Sequence, residues 1–252
     1  MATIKIDSSS LRVLRPAPGA RLRLFCFPYA GAGPAVYKPW ADLLPPSIEL
    51  VGVHYPGREA RAGEAPLADF GQLVDQLRGA MLPYLNLPFA FFGHSMGAYV
   101  SFELCKALKR GHGLQPEHLF LSGAGAPHTP ESTPIHQLPS REFLTQVIRL
   151  NGIPKEVLGS PELLSYLLPI LRADFTACER YSSDPVATLS CPLTVFGGRQ
   201  DPRVSAARID AWRDYADLSI AVDMFDGDHF FLHEQRSLLL GKIVRQLGIH
   251  TS

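Results

Sequence analysis

The stretch Pro88-Phe89-Ala90-Phe91-Phe92-Gly93-His94-Ser95-Met96-Gly97 decides the interpretation of this chain, because an apolar run leads directly into a Gly-x-Ser-x-Gly turn. A helical pattern follows at once and continues to about Leu108. Strand, turn and helix in this order are typical of a nucleophile elbow, which exposes a serine hydroxyl on a tight turn. The two glycines let neighbouring backbone segments approach closely. The pentapeptide alone also fits an ordinary glycine-rich turn, so the rest of the chain has to decide.

Composition and charge narrow the class of protein. The chain has 252 residues, of which 46% are hydrophobic and 19% charged, as in an ordinary globular protein. Its 24 basic and 24 acidic residues cancel, which disfavours nucleic acid or an anionic membrane as a partner. The cysteines are widely spaced, so we predict neither a metal site nor a disulfide framework from Cys26, Cys105, Cys178 and Cys191.

The sequence predicts neither a targeting segment nor a membrane-spanning segment. Residues 1–16 lack the continuous apolar core of a signal peptide. A spanning helix needs about 18 consecutive apolar residues, and no such run occurs. We therefore expect a cytoplasmic protein that does not contact a membrane.

Apolar runs alternate with helical patterns along most of the chain. Strands are predicted at 22–27, 48–54, 88–92, 118–122, 192–197 and 219–225, and helices around 36–44, 67–84 and 98–110. This alternation predicts an α/β fold with a mostly parallel central sheet and helices on both faces. Four basic residues near the first strand are interpreted as a solvated strand edge, namely Arg12, Arg15, Arg21 and Arg23.

The alternation is interrupted between about residues 128 and 184. Pro127, Pro130 and Pro134 come before or within the start of this segment, and no strand pattern follows them until residue 192. Helical patterns fill the segment at 141–149, 155–158 and 161–181. We predict a single domain over residues 1–252 that carries an all-helical insertion at about 128–184.

A serine nucleophile needs a base to remove its proton and a carboxylate to orient that base. In hydrolases with a strand-turn-helix elbow, the chain order is serine, acid, histidine. His229, just past the last predicted strand, and Asp201, in the loop after the strand at 192–197, satisfy this order. We therefore predict Ser95, Asp201 and His229 as a catalytic triad. The other candidates are interpreted as surface, helix-capping or modulating residues, namely His233, Asp210, Asp214, Asp217, Asp226 and Asp228.

An oxyanion hole needs backbone N–H groups directed at the developing negative charge. The N–H of Met96 is one candidate, because it follows the nucleophile and lies at a helix N-terminus. The second N–H is expected in the loop after the first predicted strand, from Tyr29 or Ala30. The sequence leaves the choice between these two residues open.

The assembled pattern resembles the α/β-hydrolase superfamily and, within it, the discrete type II thioesterases of polyketide and non-ribosomal peptide assembly lines. The matching stretches are Phe27-Pro28-Tyr29-Ala30-Gly31, Tyr55-Pro56-Gly57-Arg58-Glu59, Phe92-Gly93-His94-Ser95-Met96-Gly97-Ala98, Leu171-Arg172-Ala173-Asp174-Phe175, Gly198-Arg199-Gln200-Asp201-Pro202 and Gly227-Asp228-His229-Phe230-Phe231-Leu232. The second and fourth stretches are the most diagnostic of this family. Two departures are Gly31-Ala32-Gly33, where the family more often has adjacent glycines, and Ser122-Gly123-Ala124-Gly125-Ala126-Pro127, which lacks an arginine often found there.

The resemblance implies hydrolysis of acyl groups, often aberrant or stalled ones, from the phosphopantetheine thiol of acyl or peptidyl carrier proteins. It implies an acyl-enzyme on Ser95, no cofactor and no metal, with carrier proteins as partners of an enzyme that we expect to be a monomer. The helical insertion would be a lid over an apolar acyl tunnel. Candidate lining residues on the insertion are Phe143, Val147, Leu163, Tyr166, Leu167 and Phe175.

Three other functions use the same pattern. A carboxylesterase or lipase would apply the triad to oxygen esters, and an acyltransferase or cyclase would deliver the acyl group to an acceptor other than water. A catalytically silent protein of this fold would only bind a carrier protein or a ligand.

Overall fold

The computed structural model describes residues 8–129, 133–153, 155–183, 189–218 and 220–249. One seven-stranded sheet runs through them in the order β1-β3-β2-β4-β5-β6-β7. The strands are β1 (Leu11–Arg15), β2 (Leu22–Phe27), β3 (Ile48–Val53), β4 (Phe89–His94), β5 (His118–Ser122), β6 (Leu193–Gly198) and β7 (Ile220–Phe225). Only β1 pairs antiparallel, along β3, and every other pairing is parallel. The predicted mostly parallel sheet is confirmed. Ser219, at the start of the last predicted strand, lies outside the described residues.

Within the residues that the structure describes, eight α-helices connect and cover the strands. They are α1 (Phe70–Met81), α2 (Met96–His112), α3 (Ser140–Arg149), α4 (Lys155–Leu158), α5 (Pro161–Arg180), α6 (Ala206–Asp210), α7 (Phe231–Glu234) and α8 (Arg236–Gln246). Short 3-10 helices occur at Pro34–Trp40, Glu59–Arg61, Leu82–Tyr84 and Ala211–Tyr215. No described helix has both the length and the apolar composition that crossing a membrane requires.

Two predicted helices differ from the structure, for reasons that lie in their prolines and caps. The helix expected around 36–44 is a 3-10 helix that contains Pro39, whose missing N–H cannot join an α-helical ladder. The helix expected from residue 67 begins at Phe70, where the Asp69 carboxylate accepts a hydrogen bond from the Gln72 N–H at 2.8 Å. Its last predicted turn is the separate 3-10 helix that contains Pro83.

Successive side chains of a strand point to opposite faces of the sheet. Every residue of β2 and β4 is buried, so these central strands are covered on both faces. Phe25 and Phe91 pack in the cluster that includes α1 and α2, whereas Leu24 and Phe92 pack in the cluster that includes α8. The prediction of helices on both faces is therefore confirmed. β1 was not predicted, because its sequence Leu-Arg-Val-Leu-Arg has too few apolar residues in alternation.

Arg23 corrects one interpretation of the sequence. Its side chain is fully buried rather than solvated, and its guanidinium binds the Glu49 carboxylate, the Tyr84 carbonyl at 2.7 Å and the Asn86 side-chain oxygen at 2.8 Å. A buried arginine is tolerated when its charge is paired and its N–H groups are satisfied. Arg12, by contrast, makes an exposed pair with Glu59.

Helices α3, α4 and α5 lie between β5 and β6 in the chain, and the described part of this segment contains no strand. We call these three helices the lid. They have an apolar core of their own, made of Phe143, Val147, Ile153, Leu171 and Phe175. Pro130, within the predicted insertion, lies outside the described residues.

Arg208 of α6 lies beside the loop that follows β5, where the sequence lacks the arginine expected from the resemblance. A Cβ on Gly125 would lie 2.9 Å from the Arg208 Nε atom, so glycine leaves room for this side chain. The guanidinium donates to the Thr129 carbonyl at 2.7 Å, and the Ala126 N–H donates to the Arg208 carbonyl at 2.9 Å. Arg208 of α6 therefore holds the loop that leads from β5 towards the lid.

Candidate active site

Ser95 stands alone between β4, which ends at His94, and α2, which begins at Met96. Its backbone has φ 53° and ψ −117°, a conformation that L-residues rarely adopt and that surrounding structure must stabilise. The Ser95 N–H donates to the Ser122 carbonyl at 2.7 Å. A Cβ on Gly93 would overlap the Gly97 carbonyl, and a Cβ on Gly97 would overlap the Phe27 carbonyl. The turn therefore has the geometry that the sequence predicts.

Asp201 and His229 form a buried pair at the carboxyl ends of β6 and β7. Asp201 Oδ2 lies 2.7 Å from His229 Nδ1, and both side chains are almost fully buried. The other carboxylate oxygen accepts hydrogen bonds from the N–H groups of Arg203, at 2.8 Å, and Val204, at 3.2 Å. Because a carboxylate only accepts hydrogen bonds, Nδ1 of His229 carries the proton. Nε2 is then left with a lone pair, as a general base requires.

Ser95 and His229 border one small cavity of about 20 Å³. A cavity of this volume holds roughly one water molecule. Its remaining walls come from the core and from the lid, and they are Tyr29, Ala30, Val147, Leu150, Gly152, Leu171, Phe175, Arg203 and Phe230. Among the described contacts, none is a hydrogen bond between Ser95 and His229. Such bonds are often long or absent without substrate, and a hydroxyl rotates freely to form them.

The three candidate oxyanion donors are placed around this site. Met96 is the first residue of α2, so its N–H has no acceptor within the helix. Tyr29 and Ala30 border the cavity itself, and no described residue accepts a hydrogen bond from either N–H. The next N–H, that of Gly31, is already bound to Asp174 Oδ2 at 2.7 Å. The choice between Tyr29 and Ala30 stays open.

Of the predicted tunnel residues, Val147 and Phe175 border the cavity beside Ser95. Phe143 is buried behind them in the lid core, and Leu167 packs against the same cluster. The structure corrects the expectation for Leu163 and Tyr166, whose exposed fractions are 48% and 46%.

The places of these two residues on α5 explain both corrections. Leu163 shares a face of α5 with Leu167 but lies in the first turn, directly after the Ser160 cap, where the helix extends past the lid core. Tyr166 lies on another face, and its hydroxyl donates to the Gly57 carbonyl at 3.1 Å.

Tyr29 and His94 form an aromatic wall beside the predicted triad. Burial raises the pKa of Tyr29 to about 12, and its hydroxyl lies 3.2 Å from Nε2 of the exposed His233. Burial also lowers the pKa of His94 well below its ordinary value, so this imidazole is neutral. Its Nδ1 lies 2.9 Å from the Ser122 hydroxyl, and its ring lies 5.2 Å from that of His229. The wall adds bulk but no fixed charge next to the catalytic pair.

Sequence reasoning missed two features of the site. Arg203 lines the cavity, and its guanidinium lies 5.2 Å from the centre of the Phe175 ring. Arg58 and Asp174 form a buried ion pair under the lid. Both residues of that pair lie in the stretches most diagnostic of the resemblance, which indicated that they matter but not that they meet. Within the described ranges, no group of three or more side chains could hold a metal ion.

Comparison with known proteins places this geometry among its relatives. Residues 22–247 match the family model of the thioesterase domain. The chain is 46% identical to linear gramicidin dehydrogenase LgrE of Brevibacillus parabrevis over 228 residues, which cover 89% of this chain and 87% of LgrE. It is 36% identical to thioesterase PikA5 of Streptomyces venezuelae over 234 residues, which cover 92% of this chain and 83% of PikA5. The structure of the type II thioesterase BorB from the borrelidin biosynthetic cluster superposes with a TM-score of 0.86 at 35% identity, covering 94% of this chain and 97% of BorB.

Proposed function

Because this chain belongs to the thioesterase family and is a type II thioesterase of the α/β-hydrolase fold, we propose that it removes acyl groups from the phosphopantetheine arm of carrier proteins. A thioester hydrolase of this class acts alongside polyketide or non-ribosomal peptide assembly lines, where carrier proteins hold such thioesters. LgrE is named a dehydrogenase, but we propose no dehydrogenase activity for this chain. The matched domain family, PikA5 and BorB all carry thioesterase names.

The first chemical step is acylation of Ser95. His229 Nε2 takes the hydroxyl proton while Ser95 Oγ attacks the thioester carbonyl carbon. The imidazolium that forms is stabilised by Asp201, whose Oδ2 is 2.7 Å from Nδ1. Two backbone N–H bonds hold the other carboxylate oxygen, so Asp201 keeps His229 in one orientation during proton transfer.

Negative charge develops on the carbonyl oxygen during this attack. The N–H of Met96 and that of Tyr29 or Ala30 are the donors that stabilise it. Tyr29 and Ala30 border the cavity beside Ser95, and Met96 directly follows Ser95 in the chain. None of the three N–H groups donates to another described residue. The free end of α2 contributes its dipole in the same direction.

Collapse of the tetrahedral intermediate expels the pantetheine thiolate. A thiol of pKa about 8.5 leaves more readily than an alkoxide or an amine, so protonation by His229 matters less at this step. The proton on His229 passes to the sulfur that has left, which restores Nε2 as a base. Water then attacks the acyl-enzyme carbonyl while His229 accepts its proton, and His229 returns that proton to Ser95 Oγ as the carboxylic acid leaves. The products are a free acid and a carrier protein with an unloaded arm.

The lid has to move before an acyl chain can reach Ser95. A volume of about 20 Å³ has no room for the carbonyl and chain of an acyl group. Val147, Leu171 and Phe175 are the side chains of the lid helices that border this cavity, so these side chains have to be displaced. Acyl selectivity therefore depends on how far the lid opens and on the shape that these side chains leave.

The observation that carries the proposal is the convergence of Ser95 and the Asp201–His229 pair on one cavity under a lid, in a chain of the thioesterase family. The test is intact-mass analysis of carrier proteins loaded with short, branched or long acyl groups, before and after exposure to the enzyme. Loss of the acyl mass with retention of the phosphopantetheine mass is expected for at least one class. Carriers that stay loaded, while p-nitrophenyl esters are hydrolysed, would indicate an oxygen esterase instead.

A further inference from the structure

A buried junction below the active site joins three segments that are far apart in the sequence. Asp174 of α5 accepts two hydrogen bonds from the Arg58 guanidinium, at 2.6 and 2.8 Å, and one from the Gly31 N–H at 2.7 Å. The side chains of Arg58 and Asp174 are only 4% and 1% exposed. One carboxylate thus connects the lid, the loop after β3 and the loop that carries the candidate oxyanion donors.

The charges of this junction are matched inside the protein. Burial alone would lower the pKa of Arg58, but attraction to Asp174 raises it above its ordinary value, so the guanidinium is charged. The remaining N–H groups of Arg58 reach the Pro56 carbonyl at 3.2 Å and the Ala32 carbonyl at 3.3 Å. Arg58 therefore holds Asp174 in place and also contacts the far side of the Tyr29–Ala32 loop.

Gly31 is the residue through which Asp174 acts on that loop. The Ala32 N–H donates to the Tyr29 carbonyl at 3.0 Å, which closes a four-residue β-turn, and Gly31 has φ +79° at its third position. This φ is the one that a type II turn requires. Types I and II differ mainly by a flip of the central peptide, and the Gly31 N–H belongs to that peptide. By accepting this N–H, Asp174 selects one of the two turn conformations. The N–H groups of Tyr29 and Ala30 belong to the two preceding peptides, so Asp174 acts on them by holding the whole turn in place and not by a flip of their own peptides.

The lid also touches this turn directly. A Cβ on Gly31 would lie 2.6 Å from Leu171 Cδ2 and 3.5 Å from Leu167 Cδ1, so α5 packs against the bare backbone. Leu171 borders the cavity beside Ser95, one helical turn before Phe175. The position of α5 and the shape of the turn are therefore mechanically connected.

From this junction we infer that Asp174 is a positioning residue for catalysis. It orients the turn that presents the Tyr29 or Ala30 N–H to the oxyanion. Because Asp174 belongs to α5, it can do so only while α5 packs against that turn. The inference rests on the proposed function for the identity of those donors. It assigns the lid a second task besides enclosing the acyl group, because a displaced lid leaves the Gly31 N–H without its acceptor and the turn free to flip.

Two double variants separate this task from the stability that the ion pair supplies. Arg58→Met combined with Asp174→Asn, and Arg58→Met combined with Asp174→Leu, both remove both charges. The asparagine oxygen still accepts the Gly31 N–H, whereas leucine cannot. Replacing a buried ion pair by uncharged side chains often leaves stability little changed, whereas removing one partner costs several kcal/mol.

The readouts are kcat and KM for acetyl-pantetheine and for p-nitrophenyl acetate, with the melting temperature of each variant. We expect kcat of the leucine variant to be about tenfold below that of the asparagine variant on both substrates, because a misdirected donor costs less than the roughly 100-fold or greater loss of a deleted one. KM should agree within about twofold, since the developing oxyanion exists only in the transition state. Equal kcat values, or a difference confined to KM, would overturn the inference.

Two further measurements keep the outcomes distinct. The rate at which a fluorophosphonate labels Ser95 also depends on the oxyanion donors, so the leucine variant should label more slowly than the asparagine variant whatever the natural substrate is. If wild-type protein hydrolyses the ester but not the thioester, the proposed function fails while this ratio still judges Asp174. Should the double variants not fold, the single variants Asp174→Asn and Asp174→Leu repeat the comparison with Arg58 in place. A lower kcat for Asp174→Leu than for Asp174→Asn is expected again, and equal kcat values would refute the positioning role.

Discussion

The elbow side of the active site and the lid side are held in place by different forces. Ser95 is held by the bond from its N–H to the Ser122 carbonyl, and Asp201 by bonds from two N–H groups of the loop after β6. Asp201 in turn holds His229. The lid is instead attached through the buried ion pair of Asp174 with Arg58 and through the packing of Leu171 against the backbone of Gly31. The candidate catalytic groups therefore lie in loops that directly follow strands of the sheet, whereas Val147, Leu171 and Phe175, which border the same cavity, belong to the lid.

This difference separates two kinds of mutational effect. Substitutions of Ser95, Asp201 or His229 on the elbow side should abolish the chemical step for every substrate, because proton transfer and nucleophilic attack are the same for all acyl groups. Substitutions on the lid side should change which acyl groups are accepted and how well the oxyanion donors are aligned. The predictions below test this division, starting with the largest expected effect.

Replacing the nucleophile is expected to have the largest effect. Ser95→Ala should lower kcat by about 10⁶-fold, as in other hydrolases that lose the serine of a triad. Turnover of acetyl-pantetheine and circular dichroism of the variant are the measurements. Ser101→Ala, on the same helix with its hydroxyl bound to the Ala98 carbonyl, is the matched control and should keep wild-type kcat. A Ser95→Ala variant that retains appreciable turnover would remove Ser95 from the mechanism.

Asp201→Asn should come next, with a fall in kcat of about 10⁴-fold. The amide cannot hold His229 with its proton on Nδ1, so Nε2 no longer faces the serine as a base. Asp214→Asn, which alters an exposed carboxylate paired with His128, is the control and should be silent. A loss of less than tenfold for Asp201→Asn would mean that another group orients the imidazole.

The difference between the elbow side and the lid side also explains which parts of the structure the sequence predicts. The elbow was predictable because strand, glycines and helix lie within about 20 consecutive residues and their steric demands are local. Asp201 and His229 followed from chain order and from their places just after strands. These rules use short-range sequence patterns, and such patterns determine the elbow side of the site.

The lid and the buried charges depend on contacts between distant residues. Arg58 and Asp174 are 116 positions apart, and Arg23 meets Asn86 across 63 positions. An arginine beside a strand is ordinarily solvated, so the burial of Arg23 could not be recognised without Glu49 beside it in space. Helical periodicity does not give the point at which the packing of α5 ends, which is why Leu163 was misplaced, whereas Tyr166 was assigned to the wrong face of that helix.

A buried core histidine predicts how the stability of the sheet depends on pH. His118 stacks on Phe120 at 4.2 Å, its Nε2 lies 2.8 Å from the Thr194 hydroxyl, and burial lowers its pKa to about 4. Below an unfolded-state pKa of about 6.5, the unfolded chain binds a proton that the folded chain excludes, so stability falls as pH drops from 6.5 towards 4.

Between pH 7 and pH 5, this one group should remove about 2 kcal/mol from the free energy of unfolding. Urea unfolding at the two pH values measures the change. His118→Gln should flatten the dependence, although His94, whose pKa burial also lowers, keeps part of it. A variant whose stability falls with pH as steeply as that of wild type would show that His118 is not the group responsible.

A substitution on the lid should have the smallest effect and the most selective one. Phe175→Ala enlarges the space beside Ser95, so kcat/KM for long acyl-pantetheines should rise relative to that for acetyl-pantetheine by about tenfold, within the range of pocket-based discrimination. Leu163→Ala, at a half-exposed position of the same helix, should leave the ratio unchanged. A ratio that moves equally in both variants would show that the lid affects selectivity through its overall stability.

The central claim is that Ser95, activated by the Asp201–His229 pair, takes the acyl group from a thioester. Rapid acid quench of enzyme mixed with acetyl-pantetheine, followed by peptide mass spectrometry, tests this claim most directly. We predict an acetyl group on the peptide that carries Ser95, at the serine itself, with none in Ser95→Ala. Thioester hydrolysis that proceeds at the wild-type rate while the acetyl group is found on another residue would contradict the account.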